Sequence, residues 1–176
     1  MTMTSMHGTL DFRPLTPDDF ALLLDWLQRP HVAAWWPDAP TTLEAMTEEF
    51  GELATATGPF RGWIATRDGT PIGFIQSYVA VACHADGWWL EEHDPGVVGI
   101  DQFLAYADDL GTGLGSAMIR AFCDHLFTDA TVTRIQLDPS PDNARAIRAY
   151  EKAGFVMARE IVTPDGRAVL MYRERG

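Results

Sequence analysis

The pattern of apolar and polar residues divides the chain into short strands and amphipathic helices. Alternating or β-prone runs predict strands, whereas apolar residues three or four positions apart predict helices. Asp68-Gly69, between two strand segments, is typical of a tight hairpin turn. The predicted strands cover residues 10–15, 63–67, 72–81, 99–104, 132–137, 155–162 and 168–173, and the predicted helices begin near Thr16, Thr41, Leu114 and Asn143.

One stretch, residues 99–126, combines a strand, a glycine-rich turn and a helix. Glycines in the turn Gly111-Thr-Gly-Leu-Gly115 let backbone N–H groups approach a ligand closely, and the first N–H groups of a helix favour negative charge. The order of strand, glycine-rich turn and helix predicts a site that binds a pyrophosphate. On these residues alone, an ordinary glycine-rich turn remains the alternative. No Lys-Ser or Lys-Thr follows and the spacing is Gly-x-Gly-x-Gly, which excludes a P-loop and a Rossmann fingerprint.

The composition shows a strong excess of acidic over basic residues, with 25 Asp and Glu against 13 Lys and Arg. The chain has 176 residues and a formal net charge of −12, which disfavours nucleic acid and anionic membranes and attracts cations, unless the charge only keeps the protein soluble. No apolar run reaches the length of a membrane span, and residues 1–8 lack the pattern of a signal peptide. We therefore expect a disordered leader over residues 1–9 and one domain over residues 10–176.

The cysteines, Cys83 and Cys123, belong to no Cys-x-x-Cys pair and no zinc-type cluster. This usage predicts two buried thiols in a reducing, cytoplasmic protein. Residues 82–98 are predicted to form a loop rich in acidic and aromatic residues. Because adjacent acids rarely converge on one ion, an acidic, aromatic substrate rim is favoured there over a metal site. The adjacent Trp35 and Trp36 fit either core packing or a stacking wall for a ligand.

A known superfamily has the same motifs. Asn143-Ala-Arg-Ala-Ile-Arg-Ala-Tyr-Glu-Lys-Ala-Gly-Phe155 resembles the closing signature of GNAT acetyltransferases, and Gly111–Gly115 resembles their acetyl-CoA pyrophosphate loop. Within the superfamily, six further segments resemble aminoglycoside 6′-N-acetyltransferases of the type that modify amikacin and kanamycin. These segments are 76–80, 86–89, 94–96, 99–102, 138–141 and 163–166. The resemblance implies an α/β (α+β) GNAT fold, a mixed and mostly antiparallel sheet splayed at its centre and flanked by helices.

The resemblance also implies site residues and acetyl-CoA as co-substrate, without a metal. Tyr150 is implied as the general acid for the departing thiolate, and Asp101 as the carboxylate nearest the reacting amine, either as a base or by orienting it. A polycationic aminoglycoside needs carboxylates to pair with its ammonium groups. The implied cofactor contacts are Gly111, Thr112, Gly113, Leu114, Gly115 and Asn143, and the implied acceptor-site residues are Trp36, Asp86, Trp88, Asp101, Asp138 and Asp165.

Other functions fit parts of this pattern. A GNAT enzyme could act on another small amine, such as a siderophore precursor or a polyamine, and a non-catalytic acyl-CoA-binding module would keep the glycine loop alone. Tyr150 and the clustered acids favour the enzyme. We expect a monomer or weak dimer that has no nucleic-acid or membrane partner.

Overall fold

The computed structural model describes residues 3–176. Its strands are β1 Met3–Ser5, β2 Gly8–Pro14, β3 Phe60–Arg67, β4 Thr70–Val79, β5 Val97–Leu104, β6 Arg134–Leu137, β7 Val156–Thr163 and β8 Gly166–Glu174. Its α-helices are α1 Phe20–Leu27, α2 Pro30–Ala33, α3 Leu43–Phe50, α4 Leu114–Leu126 and α5 Ala144–Lys152. Short 3-10 helices cover Pro17–Asp19, Glu52–Ala54, Ala80–Asp86 and Ala107–Asp109. Most predicted strands and helices are confirmed, with ends that differ by a few residues.

The strands form a mixed sheet in the order β1-β2-β3-β4-β5-β6-β8-β7. Strand β2 pairs antiparallel with β1 and β3, and β8 pairs antiparallel with β6 and β7. Strands β5 and β6 instead pair in parallel, so the chain must cross over between them, and α4 lies in this connection. The mixed, mostly antiparallel sheet with helices agrees with the predicted fold class.

The chain divides into two compact units that share β4 and β5. The first unit contains the chain up to Gln76 together with Gln102–Leu110, and the second contains Ser77–Asp101 and Gly111–Gly176. In the first unit, α1 turns Leu23, Trp26 and Leu27 into the apolar core. In the second unit, α4 buries Leu114, Met118 and Phe122 along one face. The expectation of a single domain over residues 10–176 stays a prediction.

The N-terminal segment differs from the expected disordered leader over residues 1–9. Met3–Ser5 forms β1 and pairs with the start of β2, with Met3 opposite Leu10 and Ser5 opposite Gly8. An edge strand offers a row of unpaired N–H and C=O groups, and β1 satisfies those of β2. Met1 and Thr2 lie outside the described residues.

Two helix starts also differ from the sequence expectation. Pro30 does not only close α1, because it begins the short helix α2 at a position where proline is well tolerated. Thr42 rather than Thr41 caps α3, and its Oγ1 accepts a hydrogen bond from Ala45 N–H at 3.2 Å. None of the helices within residues 3–176 is long and apolar enough to cross a membrane.

Candidate active site

The glycine loop Gly111–Gly115 stands at the N-terminus of α4. Gly111 and Gly113 have φ of +73° and +87°, a region that residues with a Cβ rarely adopt. Gly113 is the N-cap of the 13-residue helix, and Thr112 Oγ1 accepts a hydrogen bond from Leu114 N–H at 3.3 Å. The first-turn N–H groups of such a helix have no partner within the helix and favour an anion. The loop therefore has the backbone conformation that a pyrophosphate site requires.

Helix α5 carries the two other residues of the predicted cofactor side. Asn143 is its N-cap, and Oδ1 accepts a hydrogen bond from Ala146 N–H at 3.2 Å. Tyr150 is partly buried, with its ring centroid 6.2 Å from that of Phe155. Arg120 of α4 donates a hydrogen bond to the Lys152 carbonyl and so ties the end of α5 to the helix that follows the glycine loop. Asn143 thus has a structural role, and its cofactor contact stays a prediction, as does the role of Tyr150 as general acid.

Neighbouring strands of the second unit bring an acidic cluster together. The parallel register places Gly99 beside Gln136. Asp101 lies two residues beyond Gly99 in β5, and Asp138 directly follows the last residue of β6. Continued alternation of side chains would put both carboxylates on the face of this pair. A Cβ on Gly99 would lie 1.9 Å from Cζ of Tyr78, so the tyrosine ring covers Gly99 and only glycine leaves room for it.

Burial and neighbouring charges shift the pKa values of two groups in this cluster. Burial and the negative charges of Asp101 and Asp165 raise the pKa of Asp138 to about 8. Burial and the charges of Asp101 and Asp138 raise the pKa of Tyr78 well above its usual range. Asp138 and Tyr78 therefore both hold their protons near neutral pH, and the site concentrates negative charge that a cationic ligand would relieve.

Both cysteines are buried free thiols, as the sequence predicts. Burial raises the pKa of Cys83 to about 11, with smaller effects from Asp86 and Asp101, and burial raises the pKa of Cys123 to about 12. Since the thiolate is the nucleophilic form, neither thiol is prepared for nucleophilic chemistry.

Two acids of residues 91–94, Glu91 and Glu92, pair with arginines, and a place for this segment in a substrate rim stays a prediction. Glu92 pairs with Arg134 and also accepts hydrogen bonds from two backbone N–H groups at 3.0 Å. Glu91 pairs with Arg159 at 3.1 Å. The partner arginines lie on distant strands, so their pairing could not be seen in the local sequence. Within residues 3–176, no group of three or more His, Cys, Asp or Glu residues is arranged to hold a metal ion.

Trp88 and Trp89, the aromatic residues of the predicted loop, lie in a segment that is held by hydrogen bonds to its backbone carbonyls. His84 Nε2 lies 3.0 Å from the carbonyl oxygens of Trp89 and Glu92, and because carbonyls only accept, this nitrogen carries the proton. Trp89 has φ of +56° and stacks on Tyr78 at 6.3 Å with an interplanar angle of 11°. Trp88 packs against Trp89 at 5.7 Å, and Asp86 is exposed at the end of the 3-10 helix.

Trp36 lies in the first unit and has the core-packing role considered for it, while a stacking role toward a ligand stays a prediction. Its ring packs edge-on against Phe103, with the centroids 5.6 Å apart, and it also lines a cavity of about 250 Å³. Burial, with a contribution from Asp38, raises the pKa of Glu49 in this cavity. The other lining residues are Phe50, Glu52, Leu53, Phe60 and Gln76.

The comparisons with known proteins identify the family. Residues 16–163 match the family model described as the acetyltransferase (GNAT) domain. The chain belongs to the GNAT acetyltransferases. The predicted superfamily is thereby confirmed.

Relatives of this acetyltransferase include aminoglycoside-modifying enzymes. It is 47% identical over 175 residues to aminoglycoside N(6′)-acetyltransferase type 1 of Klebsiella pneumoniae, covering 98% of this chain and 87% of the relative. It is 59% identical over 88 residues to a kanamycin resistance protein of Rhizobium radiobacter, covering 50% of this chain and 82% of the relative. A structure of AAC(6′)-Ib with parmomycin and acetyl-CoA superposes with a TM-score of 0.89 at 49% identity, covering 94% of this chain and 93% of that one.

These comparisons confirm the predicted fold class and the resemblance to aminoglycoside 6′-N-acetyltransferases. They also agree with acetyl-CoA as co-substrate. The roles of individual site residues stay predictions. Tyr78, Gln136 and Glu49 were not among the predicted site residues. A signal existed for Gln136, because it is a lone polar residue inside the apolar strand Ile135-Gln-Leu137.

Replacement of Gly113 by Val is expected to weaken acetyl-CoA binding at least about tenfold, a loss of about 1.4 kcal/mol. The valine would be strained at a φ of +87° and would place a branched side chain in the loop. Isothermal titration calorimetry measures the Kd. Gly69→Val, at a φ of +81° in the β3–β4 turn, is the control for backbone strain and should leave the Kd unchanged. Equal Kd values for Gly113→Val and the wild type would contradict a role for the loop.

Replacement of Asp138 by Asn is expected to stabilise the protein more at high pH than at low pH. The folded-state pKa is raised from the ordinary 3.8 to about 8, so the wild type loses stability as the pH rises through that window. The amide has no such proton to lose. Calorimetric Tm values should favour the variant by at least about 3 °C near pH 8 and by less near pH 5.

The control for this prediction is Asp108→Asn, which replaces an exposed carboxylate in the first unit. Its Tm difference from the wild type should not change with pH. A constant difference for Asp138→Asn as well would show that Asp138 does not retain a proton in the folded protein.

Proposed function

We propose that this acetyltransferase transfers the acetyl group of acetyl-CoA to the 6′-amine of aminoglycoside antibiotics and so confers resistance. The observation that carries the proposal is the acidic cluster, because burial together with the charges of two other carboxylates, Asp101 and Asp165, raises the pKa of Asp138. Such repulsion between carboxylates is unfavourable, and ammonium groups that bind beside them would relieve it. Aminoglycosides are sugars that carry several ammonium groups.

Transfer of the acetyl group forms a bond from the amine nitrogen to the carbonyl carbon and breaks the carbon–sulfur bond. The amine must lose a proton. We assign Asp101, next to the protonated Asp138, either as the base that removes this proton or as the group that orients the amine. The departing thiolate needs a proton, and the phenol of Tyr150 is assigned as its donor. The N–H groups of the glycine loop hold the pyrophosphate and fix the thioester relative to the amine.

The aromatic and exposed acidic residues are assigned to the rest of the acceptor. The rings of Trp36 and Trp88 offer apolar faces to sugar rings. Asp86 and Asp165 are exposed carboxylates that can pair with further ammonium groups. These charges are screened by salt, so they contribute less than the buried acids and mainly attract the polycation.

The proposal is tested by thiol release from acetyl-CoA with kanamycin as the acceptor. NMR of the product should place the acetyl group on the 6′ nitrogen. A polyamine and a hydroxylysine-type siderophore precursor serve as alternative acceptors in the same assay. A preference for the polyamine or the siderophore precursor over kanamycin would make that amine the substrate class instead of aminoglycosides. Binding of acetyl-CoA without thiol release with any acceptor would indicate a non-catalytic binding module.

Tyr150→Phe should lower kcat by about 10²- to 10⁴-fold while acetyl-CoA affinity stays the same, because only a proton donor is removed. Stopped assays give kcat, and calorimetry gives the Kd. Tyr106→Phe, an exposed tyrosine of the first unit, is the control and should keep full activity. A loss of less than about threefold in Tyr150→Phe would assign the hydroxyl a structural role.

Asp101→Asn should lower kcat/KM for kanamycin by at least about 10²-fold, or roughly 2.7 kcal/mol of transition-state stabilisation. The amide keeps the size of the side chain but neither accepts the amine proton nor pairs with its charge. Steady-state kinetics at saturating acetyl-CoA measure the effect.

Asp86→Asn serves as the matched comparison for Asp101→Asn. It should mainly raise KM, and its effect should shrink in high salt because its charge is exposed. Near-wild-type kcat/KM for Asp101→Asn with several aminoglycosides would place the reacting amine elsewhere.

A further inference from the structure

The cavity of about 250 Å³ lies entirely within the first unit, beside α3 and the 3-10 helix that follows it. A whole drug-sized ligand commonly occupies about 300–1,000 Å³, so this cavity fits a fragment the size of one ring rather than a complete multi-ring molecule. Its lining combines aromatic rings with polar groups that can accept hydrogen bonds. The aromatic residues are Trp36, Phe50 and Phe60, and the polar residues are Glu49, Glu52 and Gln76.

The aromatic wall of the cavity is fixed from behind by Phe74, which is fully buried. The Trp36 ring lies edge-on to Phe74 with the centroids 6.3 Å apart, and the Phe50 ring is tilted against Phe74 at 5.8 Å. Phe50 also belongs to the apolar core of the first unit, whereas Trp36 is only half-buried. The wall is therefore preorganised, and aromatic rings of this kind attract both the apolar faces of sugars and cations.

The rim of the cavity carries two carboxylates. Glu49 precedes Phe50 at the end of α3, and Glu52 begins the following 3-10 helix; both line the cavity and are exposed to solvent. Neither makes an ion pair within residues 3–176, where the paired acids are others. Partial burial and the negative charge of Asp38 raise the pKa of Glu49, and a bound cation would counteract that effect. The rim thus has negative charge without a matching cation.

We infer that this cavity binds one ammonium-bearing ring of the acceptor and that Glu49 pairs with the ammonium group, which makes Glu49 a specificity-determining residue. The aromatic wall would hold the carbon skeleton of the ring, and the carboxylate would compensate the charge that loses water. A ring without an ammonium group could use the wall but not the ion pair. The inference rests on the proposed function, since it gives the ring to an aminoglycoside.

The test is Glu49→Gln, which keeps the size of the side chain and removes its charge. The Kd for kanamycin should rise at least about threefold, as expected for the loss of one partly exposed ion pair. Calorimetry with coenzyme A in place of acetyl-CoA measures this Kd without acetyl transfer. The KM for kanamycin should rise similarly while kcat stays within about twofold, because Glu49 is assigned to binding and not to proton transfer. High salt should reduce the difference from the wild type.

Glu48→Gln is the matched control. Glu48 is the neighbouring residue of α3, is exposed and does not line the cavity. The variant removes the same single charge, so a general effect of net charge on a polycation would appear equally in both variants. Equal Kd values for Glu49→Gln and Glu48→Gln would overturn the inference. A loss in Glu49→Gln that lies in kcat alone would overturn it as well.

The binding measurement separates this inference from the proposed function. Absence of thiol release with kanamycin would refute the proposed function, but the Kd values would still decide the inference. Weaker kanamycin binding by Glu49→Gln than by Glu48→Gln would then support the cation site, and absence of kanamycin binding by the wild type would overturn it. Acetylation of kanamycin with the same KM in both variants would refute the role of Glu49 alone.

Discussion

The parallel pairing of β5 with β6 is the constraint on which the candidate site depends. It places Gly99 beside Gln136 and, with continued alternation of side chains, brings Asp101 and Asp138 to the same face, and a slip of one residue in either strand would turn one of the two carboxylates away. The same pairing requires a crossover connection, and α4 with its glycine loop supplies it. The glycine loop and the acidic cluster of the second unit thus both depend on the parallel pairing of β5 with β6.

The acidic residues of the second unit fall into two classes with opposite energetics. Glu91 pairs with Arg159 of β7 and Glu92 with Arg134 of β6, which fixes the aromatic segment between them and the 3-10 helix. Asp138 instead has like charges as its neighbours, and the protein retains this unfavourable arrangement. Sites that bind or transform ligands commonly keep such perturbed groups at the expense of stability. The formal net charge of −12 therefore does not reveal that some acidic residues are paired with arginines whereas Asp138 lies among like charges.

Local patterns predicted the elements well, and long-range pairing explains what they missed. The glycine loop, the N-cap at Asn143 and the hairpin at Asp68-Gly69 depend on residues close in sequence, so their chemistry is visible in the chain. The partners of Glu91 and Glu92 depend on strand order, as does the room that Gly99 leaves for Tyr78. The pairing of Met3–Ser5 with β2 was missed because the segment has no apolar pattern of its own.

The proton held by Asp138 links ligand binding to acidity. A polycation that enters the cluster favours the charged carboxylates, so its binding expels that proton into the solvent. Affinity should consequently weaken as the medium becomes more acidic, and the heat of binding should include the ionisation enthalpy of whichever buffer takes up the proton. Under the proposed function, one positive charge replaces another in this cluster, and the acceptor would compete with hydrogen ions for the carboxylate oxygens.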